Sequence, residues 1–258
     1  MRAYRAVFLL AVFFTLCMPL KGDCATISER EAPRGMTDLM EAARKGDSQA
    51  IQTLLDNGAD IHARDEYDNT ALMHAAACGQ SQAILTLLEN GADINTRDVN
   101  GMTALILATI AGHRQTIQTL LDNKADIHAR DIKGATSLMV AAYYGRSQTV
   151  QTLLDKGADI RARDKNGTTA LMFAAGRGHS QAVQTLLDNK ADINAQDNYG
   201  RTALIAAAYH GQSQAIQTLL DNGADINMQD KDGRTALMWA RSQNHADAVK
   251  LLKKYGAK

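Results

Sequence analysis

The chain has 258 residues, with 28 basic and 28 acidic side chains and a formal net charge of zero. An apolar content of 45% with 22% charged residues is ordinary for a folded soluble chain and excludes disorder, while the balanced charge supplies no basic excess for gripping nucleic acid. Two prolines exclude a Pro-rich linker protein, and three cysteines exclude a multi-disulfide scaffold. Three of the four Phe fall in the first 14 residues, so the body of the chain must build its core from Ala, Leu, Ile and Met.

Residues 1–24 read as a secretory signal peptide. Arg2 and Arg5 give a positive start, residues 6–17 are uncharged and mostly apolar, and Pro19 closes the run. This is the pattern of an export signal, and the run is shorter than the roughly 20 apolar residues of a transmembrane helix. Cleavage after Cys24 puts Gly22 and Cys24 at the positions that want small residues, whereas cleavage after Ala25 uses Asp23. An uncleaved anchor and a lipid on Cys24 are the alternatives, the latter disfavoured by the charge of Asp23. A periplasmic or secreted location is therefore expected, with no stable membrane insertion once the signal is gone. Cleavage removes Cys17 and Cys24 and leaves Cys78 as the only thiol, so the mature chain is expected to lack an internal disulfide. Residues 25–34 form a linker.

From residue 35 to residue 258 one unit recurs seven times, near 35–67, 68–100, 101–133, 134–166, 167–199, 200–232 and 233–258. Leu39, Leu72, Leu105, Leu138, Leu171, Leu204 and Leu237 follow one another every 33 residues, as do the threonines from Thr37 to Thr235 and the alanines from Ala42 to Ala240. A period of this length is the signature of a stacked repeat architecture. Each Thr is a good N-cap, since its hydroxyl can accept from a free backbone N–H of the first turn. The motif Ala-Leu-Met-x-Ala-Ala after it predicts a first helix with a small-residue face. Gly46, Gly79, Gly112, Gly145, Gly178 and Gly211 end that helix. A second helix follows, with an apolar stripe such as Ile51, Leu54 and Leu55. Gly58, Gly91, Gly157 and Gly223 suit a left-handed C-cap, a place taken by Lys124 and Lys190 in two units. Asn100-Gly101, Asn166-Gly167 and Asp232-Gly233 are hairpin-turn dipeptides and predict a short β-like finger between units. The end units are more polar, with Asp38, Glu41, Arg44 and Lys45 in the first and Lys250, Lys253 and Lys254 in the last. They read as capping repeats, so no second domain is expected.

The period and the pattern Gly-x-Thr-Ala-Leu-Met-x-Ala-Ala…Leu-Leu-x-x-Gly-Ala-Asp-Ile-Asn resemble the ankyrin repeat family over residues 35–258. The resemblance implies an all-α fold, an ankyrin-repeat solenoid of paired antiparallel helices with short β-hairpin fingers. One departure is general: the family's Thr-Pro-Leu-His stands here as Thr-Ala-Leu-Met, for example in Thr70-Ala71-Leu72-Met73.

Residues able to do chemistry are spread along the period. His62 and His128 occupy equivalent positions two units, or about 20 Å, apart, too far to share a metal. The ladder Met40, Met73, Met139, Met172 and Met238 reads as core filler, and the ladder from Asp65 to Asp230 as turn and cap residues. Asn166-Gly167-Thr168 matches a glycosylation acceptor and is equally explained by the turn. His74 lies four residues before Cys78, but a Cys/His nucleophile needs a third, orienting group. No phosphate loop, zinc signature or nucleophile elbow occurs. No catalytic residue, metal or cofactor is expected, and an enzyme is disfavoured.

The units differ most in the finger and at the end of the first helix. In ankyrin repeat proteins these places line a concave protein-binding surface. Carried over by position, the candidate partner-binding residues are Tyr67, Val99, Met102, Ile132, Tyr143, Tyr144, Arg177, Tyr199, Arg201 and Tyr209. Tyr and Arg are the side chains that dominate interface energetics, and apolar residues on fingers mark contacts. The expectation is an exported, monomeric, non-catalytic adaptor or scaffold that binds a protein. The alternatives are a secreted effector acting on host proteins and a structural scaffold without a specific partner.

Overall fold

The computed structural model describes residues 34–258. The predicted signal peptide and all but the last residue of the predicted linker lie outside the described residues. Fourteen helices follow in pairs among the described residues: α1 Asp38–Lys45 and α2 Ser48–Asp56, α3 Ala71–Ala77 and α4 Ser81–Glu89, α5 Ala104–Ala111 and α6 Arg114–Asp122, α7 Ser137–Tyr143 and α8 Ser147–Asp155, α9 Ala170–Gly176 and α10 Ser180–Asp188, α11 Ala203–Tyr209 and α12 Ser213–Asp221, α13 Ala236–Ser242 and α14 Ala246–Lys254. Odd-numbered helices pack on odd, even on even, and each pair on itself, so the chain is an all-α solenoid.

Local rules set the helix ends. All seven threonines sit in extended backbone before a first helix and accept from the amide three residues on, as Thr202 Oγ1 does from Ile205 at 3.2 Å. Lys124 and Lys190 hold φ of 66° and 67°, the left-handed geometry that glycine supplies in the sister units.

The fingers are tighter than the hairpins predicted from sequence. No extended strand forms among the described residues, and Arg130 and Thr136 make one isolated bridge. The reason lies in the turn. Gly101 N–H donates to the Asp98 carbonyl at 2.9 Å, so Asn100 is a central turn residue with ordinary φ and Gly101, at φ 72°, is the left-handed residue after it. Two residues later Thr103 caps the next helix, which leaves no length for strand pairing. Each finger Asp ties its own turn: Asp98 Oδ1 accepts from the amides of Asn100 and Met102 at 2.8 and 2.7 Å. The aspartate ladder has this turn duty in every finger.

Units are joined by bonds about one period long. Val99, Ile132, Lys165, Asn198 and Lys231 each donate a backbone N–H to a carbonyl of the preceding finger. Beside the second helices, His113, Arg146, His179 and His245 reach back to carbonyls of the preceding unit at 2.7–3.1 Å. Close approach demands glycine here: a Cβ on Gly112 would lie 1.7 Å from Arg146 Nη1.

Odd-numbered helices stack more closely than even-numbered ones, because Ala75, Ala108, Ala141, Ala174 and Ala207, all fully buried, keep them near one another. Closer spacing on one side bends the array toward the odd helices, which form the inner face. The core divides into two clusters, Leu39 to Ala125 and Ala135 to Leu252, with the seam between α5 and α7. Among the described residues, no helix is long and apolar enough to cross a membrane.

Candidate functional site

The inner face is built from the last turn of each odd helix and the finger before it. At the finger tips, Tyr67, Val99, Ile132 and Tyr199 are about half exposed, at 49–51%. Met102 is a correction: it is half-buried and packs against the core of units one to three, because the residue after the left-handed glycine turns back toward the helix. Arg201 is held in place, with Nη2 2.6 Å from Asp197 Oδ2 and its guanidinium 4.6 Å from the Tyr199 ring.

At the helix ends Tyr143 and Tyr144 are half-buried, with ring centroids 5.2 Å apart, and Arg177 is exposed with its guanidinium 4.1 Å from the Tyr143 centroid. Tyr209 overturns a second expectation. It does not stand clear of the core but packs on it, edge to face with Trp239 of the next unit at 5.1 Å. An aromatic residue on one inner helix leans on the next unit wherever that unit offers a ring.

Those rings come from a column the sequence reading passed over. The variable x of Ala-Leu-Met-x-Ala-Ala is His74, Leu107, Val140, Phe173, Ala206 or Trp239. Its variation inside a fixed motif was the available signal. Phe173 takes the edge of Tyr143 at 6.1 Å, and Trp239 donates its Nε1–H to Asp230 Oδ2 at 2.8 Å under the Arg234 guanidinium, 3.9 Å from the ring centroid. His74 likewise meets Asp65 Oδ2 at 2.9 Å.

Burial raises the carboxyls of Asp98 and Asp164 above their ordinary 3.8, despite amide bonds, and the charge of Asp131 adds to both. Burial also lowers Arg177 and His210, and His210 is lowered further by Arg177, His245 and Arg201. On the inner face of units five to seven the cations of Arg177 and Arg201 thus favour the neutral form of His210.

Among the described residues, no cluster of three or more His, Cys, Asp or Glu could hold a metal. His62 and His128 are exposed, while Met40, Met73, Met139 and Met172 are buried core and Met238, facing no further unit, is 47% exposed. Cys78 is disulfide-bonded, where the mature form was expected to carry it free. Two open grooves, of about 440 and 630 Å³, lie along the even helices away from the inner face.

The comparisons with known proteins agree with this geometry. A family model for ankyrin repeats, three copies, matches residues 12–98, 39–131, 97–164, 138–230 and 197–258. The human ASB11 ankyrin repeat domain, a crystal structure, is similar over 86% of this chain and 99% of its own, at 25% identity and a TM-score of 0.78. No curated protein matches. Ankyrin repeats are protein–protein interaction scaffolds and typically non-catalytic. On the family match, which spans nearly the whole chain, this protein belongs to the ankyrin repeat family.

Proposed function

We propose that the chain is an exported, monomeric adaptor that binds a partner protein through the inner face of units four to seven. One observation carries this reading: Tyr143, Tyr144, Phe173 and Arg177 form a partly exposed cluster of rings and guanidinium on two consecutive inner helices. Rings with few rotamers to lose, beside an Arg that pairs with no carboxylate of the described residues, are the side chains from which interface hot spots are made. The test is capture of a partner from the exported fraction, its identification, and a titration of the purified pair. Replacing Tyr144 and Arg177 by Ala should weaken that complex by about 2 kcal/mol or more, roughly thirtyfold. Tyr209 is the wrong residue for this test, since its loss would also disturb Trp239. A variant that binds as the parent removes this face from consideration.

Export rests on the signal-like residues 1–24. N-terminal sequencing should find the mature chain beginning at Ala25 or Thr26. Recovery from the cytoplasm starting at Met1 refutes export.

A further inference from the structure

Units three and four part on the side away from the inner face. The core divides between α5 and α7, and behind that seam α6 and α8 pack least closely of the neighbouring even-numbered helices. The larger of the two open grooves, about 630 Å³, lies at this gap. Gly112 and Arg114 line it from unit three, Arg146, Ser147 and Thr149 line it from unit four, and no carboxylate is among its walls. One substitution accounts for the opening. At the preceding junction Ser81 Oγ and Thr116 Oγ1 meet at 3.0 Å and tie the even side together. One period on, Thr149 repeats Thr116, but Arg114 stands where Ser81 does, in a column that is otherwise Ser or, in the last unit, Ala246.

The groove is left with donors and no acceptor for them. Thr149 is only 4% exposed, and its hydroxyl bonds to no described residue. An unpaired hydroxyl this buried is costly, yet the same column is Ala in five of the seven units, so packing does not require Thr here. Arg114 is exposed and makes no hydrogen bond or ion pair with the described residues. Arg146 donates Nη2–H to the Ile110 carbonyl at 2.7 Å and leaves its buried Nε without a partner. Burial works against the Arg146 charge, which an anion would relieve. As the N-cap of α8, Arg146 also offers no side-chain acceptor, so the first-turn amides of Gln148 and Thr149 are unpaired. Two guanidiniums, a buried hydroxyl and the positive end of a nine-residue helix therefore meet at one groove with nothing negative in it.

We propose that this groove is a phosphate site: a phosphate group, free or as a monoester, accepts from Arg114, the Thr149 hydroxyl and the first-turn amides of α8, with the charge of Arg146 behind them. The donors come from unit three on one side and from α8 on the other, which suits an anion with oxygens on every side better than a flat carboxylate. The bound group ties unit three to unit four and closes the junction that Arg114 opens. The site lies away from the inner face and does not depend on the reading of that face as a partner surface.

Inorganic phosphate, O-phosphoserine and acetate are titrated into the purified chain by isothermal titration calorimetry, at one ionic strength held with chloride. Inorganic phosphate should give a saturable isotherm, and acetate should bind about tenfold more weakly or not at all. Each test variant borrows the residue of a sister unit and so keeps the fold. Arg114→Ser restores the Ser–Thr pair seen at Ser81 and Thr116, Thr149→Ala copies Ala182, and Arg146→Gln copies Gln80, whose Nε2 keeps a bond to the preceding unit at 3.3 Å. Arg114→Ser should weaken phosphate by about tenfold or more while the fold stays as stable as the parent or gains, and the other two should weaken it in the same direction. Phosphate stabilises folded proteins in general, so the melting temperature is read as a difference: the parent should gain more from phosphate than Arg114→Ser does. Tighter binding of O-phosphoserine supports the site with a monoester on a partner's side chain as its ligand, and tighter binding of inorganic phosphate supports it with the free ion. Absence of a saturable isotherm, acetate binding as tightly as phosphate, or undiminished binding in Arg114→Ser and Thr149→Ala overturns the proposal.

Discussion

Ser137 is the place where one atom should matter most for stability. It opens α7 in a column that holds Ala71, Ala104, Ala170, Ala203 and Ala236, each 1% exposed or less, in every other unit but the first, where Asp38 stands. Ser137 is equally buried at 1%, and its Oγ has no hydrogen-bond partner. It also stands at the seam between α5 and α7 where the core divides. An unsatisfied buried hydroxyl costs about 1–3 kcal/mol, and Ser is weaker than Ala in a helix by up to about 0.5 kcal/mol. Ser137→Ala removes one oxygen and opens a void too small to offset this gain. Stability should therefore rise by roughly 1–2 kcal/mol, within the range of these two contributions. Urea denaturation followed by far-UV circular dichroism reads this as a higher midpoint at unchanged slope. If the seam unfolds separately, two phases in the parent should merge in the variant, since a stronger interface couples neighbouring units. Ala104→Ser, which plants a hydroxyl at the same position one unit earlier, should have the opposite sign. A Ser137→Ala variant that melts with or below the parent would falsify this account, because it would mean that the hydroxyl is satisfied.

Leu171, 2% exposed and on a helix packed between α7 and α11, should cost about 2–5 kcal/mol when cut to Ala. Leu39→Ala in the first unit should lose less, since α1 stacks on α3 alone among the described helices; equal losses in denaturant melts would contradict the stacked account. Gly112→Ala should destabilise by about 1–3 kcal/mol through its φ of 85° and its collision with Arg146; Arg146→Ala in the same chain should recover part of the loss, and no recovery would show that the backbone strain acts alone. Asp98 and Asp164 have folded pKa values above their ordinary 3.8, so their ionised forms oppose folding at neutral pH, and that opposition fades as pH falls through the raised values. Asp98→Asn and Asp164→Asn, which keep an oxygen for the turn amides, should flatten the resulting gain in stability between neutral pH and about pH 4. Glu41 acts with the opposite sign: held down to about 2 by Arg44 and then Lys45, it stabilises above its ordinary 4.5, and this is lost as pH falls toward 2. Stability curves of the three proteins that coincide across that window would refute the assignment.

The sequence by itself determined the unit, its number and its helix ends. Thr37 to Thr235 as caps, the left-handed glycines and the two lysines standing in for them follow from forces acting within a few residues of the chain, and repetition made each signal legible seven times. The same locality explains what was missed. Asn100-Gly101 satisfies two turn geometries equally well, and only the entry of Thr103 into α5 decides between them. Tyr143 and Tyr209 are indistinguishable in the repeat register, yet they lean on Phe173 and Trp239, 30 residues on, with different exposures of Arg177 and Arg234 above them. Gly176 is the last residue of α9, and its missing side chain faces Ala206. Whether a residue on an inner helix becomes core, rim or gap depends on the size of the side chain one unit away, and that size is fixed only when the units stack.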